Sequence, residues 1–149
     1  MTQSPPRLAI RALIVESDRL LLVNAYPGHE SDLLCCPGGG VEKHQSLPDN
    51  LIREVWEETG LTIRVGRLRA VSEFHKRSAG FHQVELIYDA QIVARPKGDW
   101  RDTEGVVNRH VWASAAECQT LRIKPDIIAK LAFTPTVGVI YDPLEEAVP

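Results

Sequence analysis

The sequence predicts an α/β layered domain in which mixed strands pack with a few helices, and three observations predict it. Residues 81–93, "FHQVELIYDAQIV", set Val84, Leu86, Tyr88, Ala90 and Ile92 against Gln83, Glu85, Ile87, Asp89 and Gln91, the alternation of a half-buried strand. Residues 47–59 carry Leu51, Ile52, Val55 and Trp56 at the 3-4 spacing of an amphipathic helix. The runs "RLAIRALIV" and "DRLLLVNAY" flank the turn-like "ESD" and read as a hairpin.

The elements follow in order. "PGHESD" (27–32) is a polar loop, "LLCC" a short apolar run ending at Pro37, and "PGGGVEKHQ" (37–45) a glycine-rich loop. The helix over 47–59 has Ser46 as N-cap, Pro48 in its first turn and Asp49 at the capping-box position. Gly60 supplies its stop. Its apolar stripe faces a core, and Glu54, Glu57 and Glu58 point away from the middle of that stripe. "LTIRVGRLRAVSEF" is β-like, with Gly66 placed for a bulge. "HKRSAG" and the charged "ARPKGDWRDTEG" are loops, "NRHVWA" a short strand, and "SAAECQTL" opens with a capping box from Ser114 to Glu117. "KPDIIAKLAF" predicts a second full helix. From about 134 the chain becomes a tail with one short strand and mobile last residues, and residues 1–149 form a single domain.

Composition narrows the function. The 149 residues are 44% hydrophobic and carry a net charge of −3, enough apolar content for a core but too little positive charge for extensive contact with nucleic-acid phosphates. No apolar run approaches the roughly 20 residues that span a bilayer. The N-terminal apolar patch is interrupted by Arg11 and does not read as a signal peptide. Cys35, Cys36 and Cys118 are odd in number and lack metal-thiolate spacing, which points to buried, inert thiols in a reducing cytoplasm.

The stretch "REVWEETG" (53–60) poses the chemical question. On a helix, Glu54, Glu57 and Glu58 share one face with Cβ atoms roughly 5–6 Å apart, an arrangement that costs about 0.2–0.5 kcal/mol per like-charged pair. A solvated acidic face softened by Arg53 is one reading. The triple glycine upstream favours another. Glycines let a backbone carbonyl approach a ligand, and a carbonyl with several carboxylates makes an all-oxygen site of the kind that hard divalent cations prefer. "GGG" is not followed by the Gly-Lys-Ser/Thr of a phosphate loop.

Residues 39–61, "GGVEKHQSLPDNLIREVWEETGL", resemble the Nudix box of MutT-like proteins. That box reads Gly, five residues, Glu, seven residues, then Arg-Glu-aliphatic-x-Glu-Glu-x-Gly-aliphatic. Gly39, Arg53, Glu54, Val55, Glu57, Glu58, Gly60 and Leu61 fall at the required spacing. The chain departs at one defined position, with Gln45 where the family has Glu, and His44 precedes it where Gly is common. The resemblance implies an α/β/α sandwich with a central mixed β-sheet over about residues 7–133. It implies hydrolysis of a nucleoside diphosphate linked to another group, such as ADP-ribose, a dinucleotide or a nucleotide sugar, with Mg²⁺ or Mn²⁺. By position, Glu54, Glu57 and Glu58 would hold metal, the main-chain oxygen of Gly38 would be a further ligand, and Arg53 would orient the glutamates. Gln45 keeps the hydrogen-bonding reach of the missing Glu without its charge.

Outside the box, Glu104 in "DWRDTEG" is a candidate to reach the metals and serve in catalysis, against a plain solvated loop residue. Glu85 is a candidate to point toward the box helix and serve metal or substrate, against a residue facing solvent. Tyr26, Phe74 and Trp100 are candidates to stack on a base, against core packing. Two other functions compete: a weak or inactive nucleotide-binding module with the same fold, separated by metal-dependent turnover, and an RNA 5′-pyrophosphohydrolase, separated by salt-dependent RNA affinity. The expected partner is a small nucleotide, with no membrane. Similar proteins are commonly dimers, so a homodimer is the assembly that the resemblance suggests.

Overall fold

The computed structural model describes residues 4–149. Strand β1 (Arg7–Glu16) is its axis. It runs parallel to β6 (Phe81–Ala94), in register from Arg7 opposite Gln83 to Ile14 opposite Ala90. Its end pairs antiparallel with β2 (Arg19–Asn24) through the expected tight turn. β2 is flanked by β3 (Leu34–Cys35) and, from the later sequence, by β7 (His110–Ala113). β5 (Thr62–Lys76) lies antiparallel to β6. The sheet is therefore mixed, and helices cover both faces.

Alternation along β1 assigns the layers. Ile10, Ala12 and Ile14 join Leu51 and Val55 of α1 (Leu47–Thr59) in one core. Leu13 joins Ile128 and Leu131 of α3 (Ile128–Phe133) in the other, next to the short α2 (Ala115–Cys118). Leu51 and Val55 are fully buried, and each contributes roughly 1.5–3 kcal/mol by leaving water. The result is the α/β/α sandwich with a central mixed sheet that the resemblance implied.

The ends of α1 match the sequence reading. Ser46 Oγ accepts from the Asp49 amide at 3.1 Å, and Gly60 closes the helix in the left-handed region, φ 74°. At α2, Ser114 and Glu117 exchange both bonds of the capping box. A register shift falls between Val65 and Leu68, at Gly66.

Five details differ. The glycine-rich "loop" contains strand β4 (Gly38–Gly40), antiparallel to β1. A Cβ on Gly38 would sit 1.9 Å from the Ile10 carbonyl oxygen, so the strands approach this closely only because that side chain is missing. β5 continues through Lys76 before a single 3-10 turn (Arg77–Ala79), shortening the loop read at "HKRSAG". The second full helix is one short segment, α3. The tail adds two strands rather than one, β8 (Ile140–Tyr141) and β9 (Glu145–Glu146), both parallel to β5. Trp56, read as part of the core stripe, is 45% exposed. It packs edge-on against Trp100 with ring centroids 4.7 Å apart.

Candidate active site

Pairing between β4 and β1 sets the site. The Ala12 amide donates to the Pro37 carbonyl and the Val41 amide to the Leu8 carbonyl, both at 2.9 Å. In this register Arg11 and Gly38 form a non-hydrogen-bonded pair, so both main-chain groups of Gly38 point away from β1. The Gly38 amide donates instead to Glu58 Oε2 at 3.2 Å. By the same strand geometry the Gly38 carbonyl lies on the side of β4 away from β1. Gly39 lies against Glu54, where a Cβ would sit 2.5 Å from Oε2.

Helix spacing and this close approach bring Glu54, Glu57, Glu58, Gly38 and Glu104 onto one cavity of about 210 Å³. Arg53 ties the first two together: Nη1 donates to Glu54 Oε1 at 3.1 Å and to both Glu57 oxygens at 3.3 Å. Gln45 holds Arg53 in turn, accepting from Nε at 3.3 Å, and Glu42 Oε1 is 3.7 Å from Nη2. Asn50, fully buried, fixes the preceding loop. Its side chain accepts from the Glu42 amide at 2.8 Å and from Arg53 Nη2 at 3.2 Å, and donates to the Ser46 carbonyl at 2.9 Å.

Burial shapes the electrostatics. Removal from water pushes the Glu58 carboxyl up to about 8, against the attraction of Arg11 and the Gly38 amide. Burial also raises Glu54, with Arg53 opposing. Arg11 is deeply buried. Burial alone would lower its basicity, but the carboxylate of Glu85, bonded to it, outweighs this and holds the guanidinium charged. Cys36 and Cys118 are buried as expected, whereas Cys35 is only partly buried and borders the cavity, although its surroundings push its thiol up to about 11.

Glu104 reaches the cavity on a built loop. Asp102 accepts from the amides of Glu104, Val106 and Val107 at 3.0, 3.1 and 2.8 Å. Trp100 Nε1 donates to the Glu57 carbonyl at 2.8 Å, joining the loop to α1, and the residue also borders a separate cavity with Asp102 and His110. Glu85 does not point toward α1. It shares the sheet face of Gln83 and Ile87, is 4% exposed, and accepts from Arg11 Nε at 3.2 Å and Gln83 Nε2 at 2.8 Å. It lines a second cavity next to the first. Sequence reasoning missed Arg7, Arg11, Asn50 and Asp102. A signal for Arg11 was present: a lone cation inside an otherwise apolar strand demands a buried partner.

Among the described residues, no three ligating side chains are already drawn together as a closed metal cage; Arg53 occupies Glu54 and Glu57 instead. The donor set nevertheless fits a hard divalent cation, being all oxygen with one carbonyl unclaimed by the sheet.

A mixed-sheet α/β/α sandwich whose capped acidic helix faces a glycine strand defines the class. The chain belongs to the NUDIX domain family, whose model matches residues 5–131. It is 25% identical over 88 residues to an ADP-ribose pyrophosphatase of Methanocaldococcus jannaschii, covering 59% of this chain and 52% of that protein. It is 29% identical over 99 residues to the Homo sapiens diphosphoinositol polyphosphate phosphohydrolase 2, covering 65% and 50%. The chain thus spans about half the length of these relatives. Among solved structures, a NUDIX hydrolase from Nitrosomonas europaea superposes with a TM-score of 0.73 at 24% identity over 85% of this chain and 86% of that one. A UDP-X diphosphatase gives 0.71 at 21% identity over 95% and 70%. These superpositions establish the shared fold. No helix among the described residues is long and apolar enough to cross a membrane.

Proposed function

We propose that this chain is a Mg²⁺- or Mn²⁺-dependent pyrophosphohydrolase acting on a nucleoside diphosphate linked to a second group. The observation that carries the reading is the convergence of Glu54, Glu57, Glu58 and the outward-facing Gly38 backbone on one cavity. These groups would hold the cation, which when bound screens the phosphate charge, lowers the pKa of water and stabilises the leaving phosphate.

The chain's own groups do the rest. Arg53 sets the rotamers of Glu54 and Glu57 through its shared Nη1. Gln45 steadies Arg53 through a neutral acceptor, weaker than the charged one the family places there by roughly a factor of two. Glu104 opens onto the same cavity and is the group assigned to accept the proton of the attacking water. Arg7 and Arg11 border the cavity opposite the helix, where they meet the substrate's phosphates. The ADP-ribose pyrophosphatase relative supports the substrate class. In the test, the chain is given ADP-ribose, dinucleotides and nucleotide sugars, with Mg²⁺ and with a chelator. Nucleoside monophosphate should appear only with the metal; release that ignores the chelator, or no release from any of them, refutes the proposal.

A further inference from the structure

The carboxylate cavity does not end at Arg11. A second cavity of about 260 Å³ shares Arg7, Arg11, Ala25 and Cys35 with it and extends along the opposite side of β1. Its walls and its floor differ in kind. Tyr26, Phe74 and Phe81 supply aromatic walls. Phe74 is buried, yet neither it nor Phe81 packs in either apolar core, so their rings serve the cavity instead. The segment after β9 forms a further wall at Ala147 and Val148. It is held by the Ala147 amide donating to the His75 carbonyl at 2.9 Å and by Tyr26 Oη donating to the Val148 carbonyl at 2.7 Å.

The floor is a buried polar chain. Arg7 Nη1 donates to Gln83 Oε1 at 2.8 Å, Gln83 Nε2 donates to Glu85 Oε1 at 2.8 Å, and Arg11 Nε donates to the same oxygen at 3.2 Å. Every hydrogen bond to the Glu85 carboxylate thus ends on Oε1. Among the described residues Oε2 receives none; the side chain is 94% buried, and Oε2 keeps access to the cavity that Glu85 lines. A carboxylate oxygen that opens on the cavity and has no protein donor can accept an N–H from a ligand.

We propose that this second cavity takes a nucleobase bearing an exocyclic amino group, with the amino group donating to Glu85 Oε2 and the ring stacked among Phe74, Phe81 and Tyr26. The inference rests on the pyrophosphohydrolase reading and deepens it by placing the base end of the substrate. The arrangement is consistent along its length. Arg7 and Arg11 stand in the seam between the cavities, where a diphosphate joined to that nucleoside must pass to reach the carboxylates. A multiply phosphorylated ring is a poor occupant. The Glu85 carboxylate and the aromatic faces of Tyr26, Phe74 and Phe81 repel dense negative charge there.

Calorimetric titration of the full chain with AMP, purine riboside 5′-monophosphate and ribose 5-phosphate, without added metal, tests this. The second ligand keeps ring, sugar and phosphate but lacks the amino group. AMP is expected to bind at least tenfold more tightly than purine riboside 5′-monophosphate, and ribose 5-phosphate more weakly than either. In Glu85→Gln the first ratio should fall to within twofold. Phe81→Leu, which leaves the Glu85 network intact, should weaken AMP about tenfold and ribose 5-phosphate not at all. Equal binding of the first two ligands by the wild type, ribose 5-phosphate as tight as AMP, or no measurable AMP binding would each overturn the proposal. The two readings fail separately. Selective AMP binding without turnover removes the hydrolase and keeps the base pocket; metal-dependent turnover indifferent to the base does the reverse.

Discussion

The Gly38 amide donates to Glu58 Oε2 at 3.2 Å, and this bond joins the glycine strand to the acidic helix at a deeply buried carboxylate. It exists because Gly38 sits in a non-hydrogen-bonded position opposite Arg11 and because no Cβ holds β4 away from β1. A register shift of one residue would turn the amide back into the sheet and leave Glu58 buried without it.

Substitutions at neighbouring glycines should therefore separate stability from activity. Gly38→Ala puts a Cβ 1.9 Å from backbone and should cost about 1–3 kcal/mol or more as overpacking. Gly39→Ala instead meets the mobile end of Glu54. It should leave the melting temperature nearly unchanged while lowering turnover at least tenfold, because Glu54 is pushed out of the cavity. Thermal unfolding run beside kinetics distinguishes the two.

Gln45→Glu restores a charged acceptor for Arg53, which already serves Glu54 and Glu57. Because Gln45 is exposed, the gain in stability should be under about 1 kcal/mol. The rate should rise more visibly than the melting temperature, since a better-held Arg53 sets two carboxylates. A rate unchanged or lowered would show that Gln45 has no part in positioning Arg53.

His44 has φ 70°, in the left-handed region that favours glycine. His44→Gly should relieve that conformation and raise stability by about 0.5–1 kcal/mol, part of the gain being lost to the freer unfolded chain. Chemical denaturation measures it, and a destabilised variant would mean that the imidazole makes a contact worth more than the strain.

The tail should respond to pH. Burial, the bond with Asp126 and the charges of Asp126 and Asp142 push Glu145 up to about 7, with Lys124 opposing. The folded state then holds a proton that the unfolded chain releases near 4.5, so this group's contribution to stability falls as pH rises from about 4.5 to 7 and levels off above it. Asp126 is shifted the opposite way, and its contribution is lost only as pH falls through the ordinary carboxylate range. Melting curves from pH 5 to 8 should show the wild type losing ground relative to Glu145→Gln; parallel curves would rule this out.

Local signals carried much of the fold. Ser46, Gly60 and the 3-4 stripe placed α1 at 47–59, and period-two alternation placed β6, because both patterns are written in neighbouring residues. The short strand at "GGG" was not legible, since glycine has no strand preference and the pairing is decided by a close approach to β1. Trp56 was misread for the same reason: its partner Trp100 is distant in sequence. At the site, the box spacing pointed to Glu54, Glu57, Glu58 and Arg53, which the structure gathers on one cavity or against it. The orientation of Glu85 was not legible. It depends on Arg11, 74 residues away, and on a face of β6 that pattern alone could not assign to protein or solvent. The length of the tail's contact with β5 was hidden likewise, because strands of two residues leave no periodicity to read.

The most direct test compares Glu58→Gln with the wild type in Mg²⁺-dependent release of nucleoside monophosphate from ADP-ribose and related diphosphates, with the fold of both checked by circular dichroism. Glu58→Gln keeps the shape of the site but removes the carboxyl's ability to ionise toward a cation, so the account predicts a folded protein whose turnover drops by at least a hundredfold. A folded Glu58→Gln protein with wild-type, metal-dependent turnover would contradict the assignment of this carboxylate cavity as the catalytic centre.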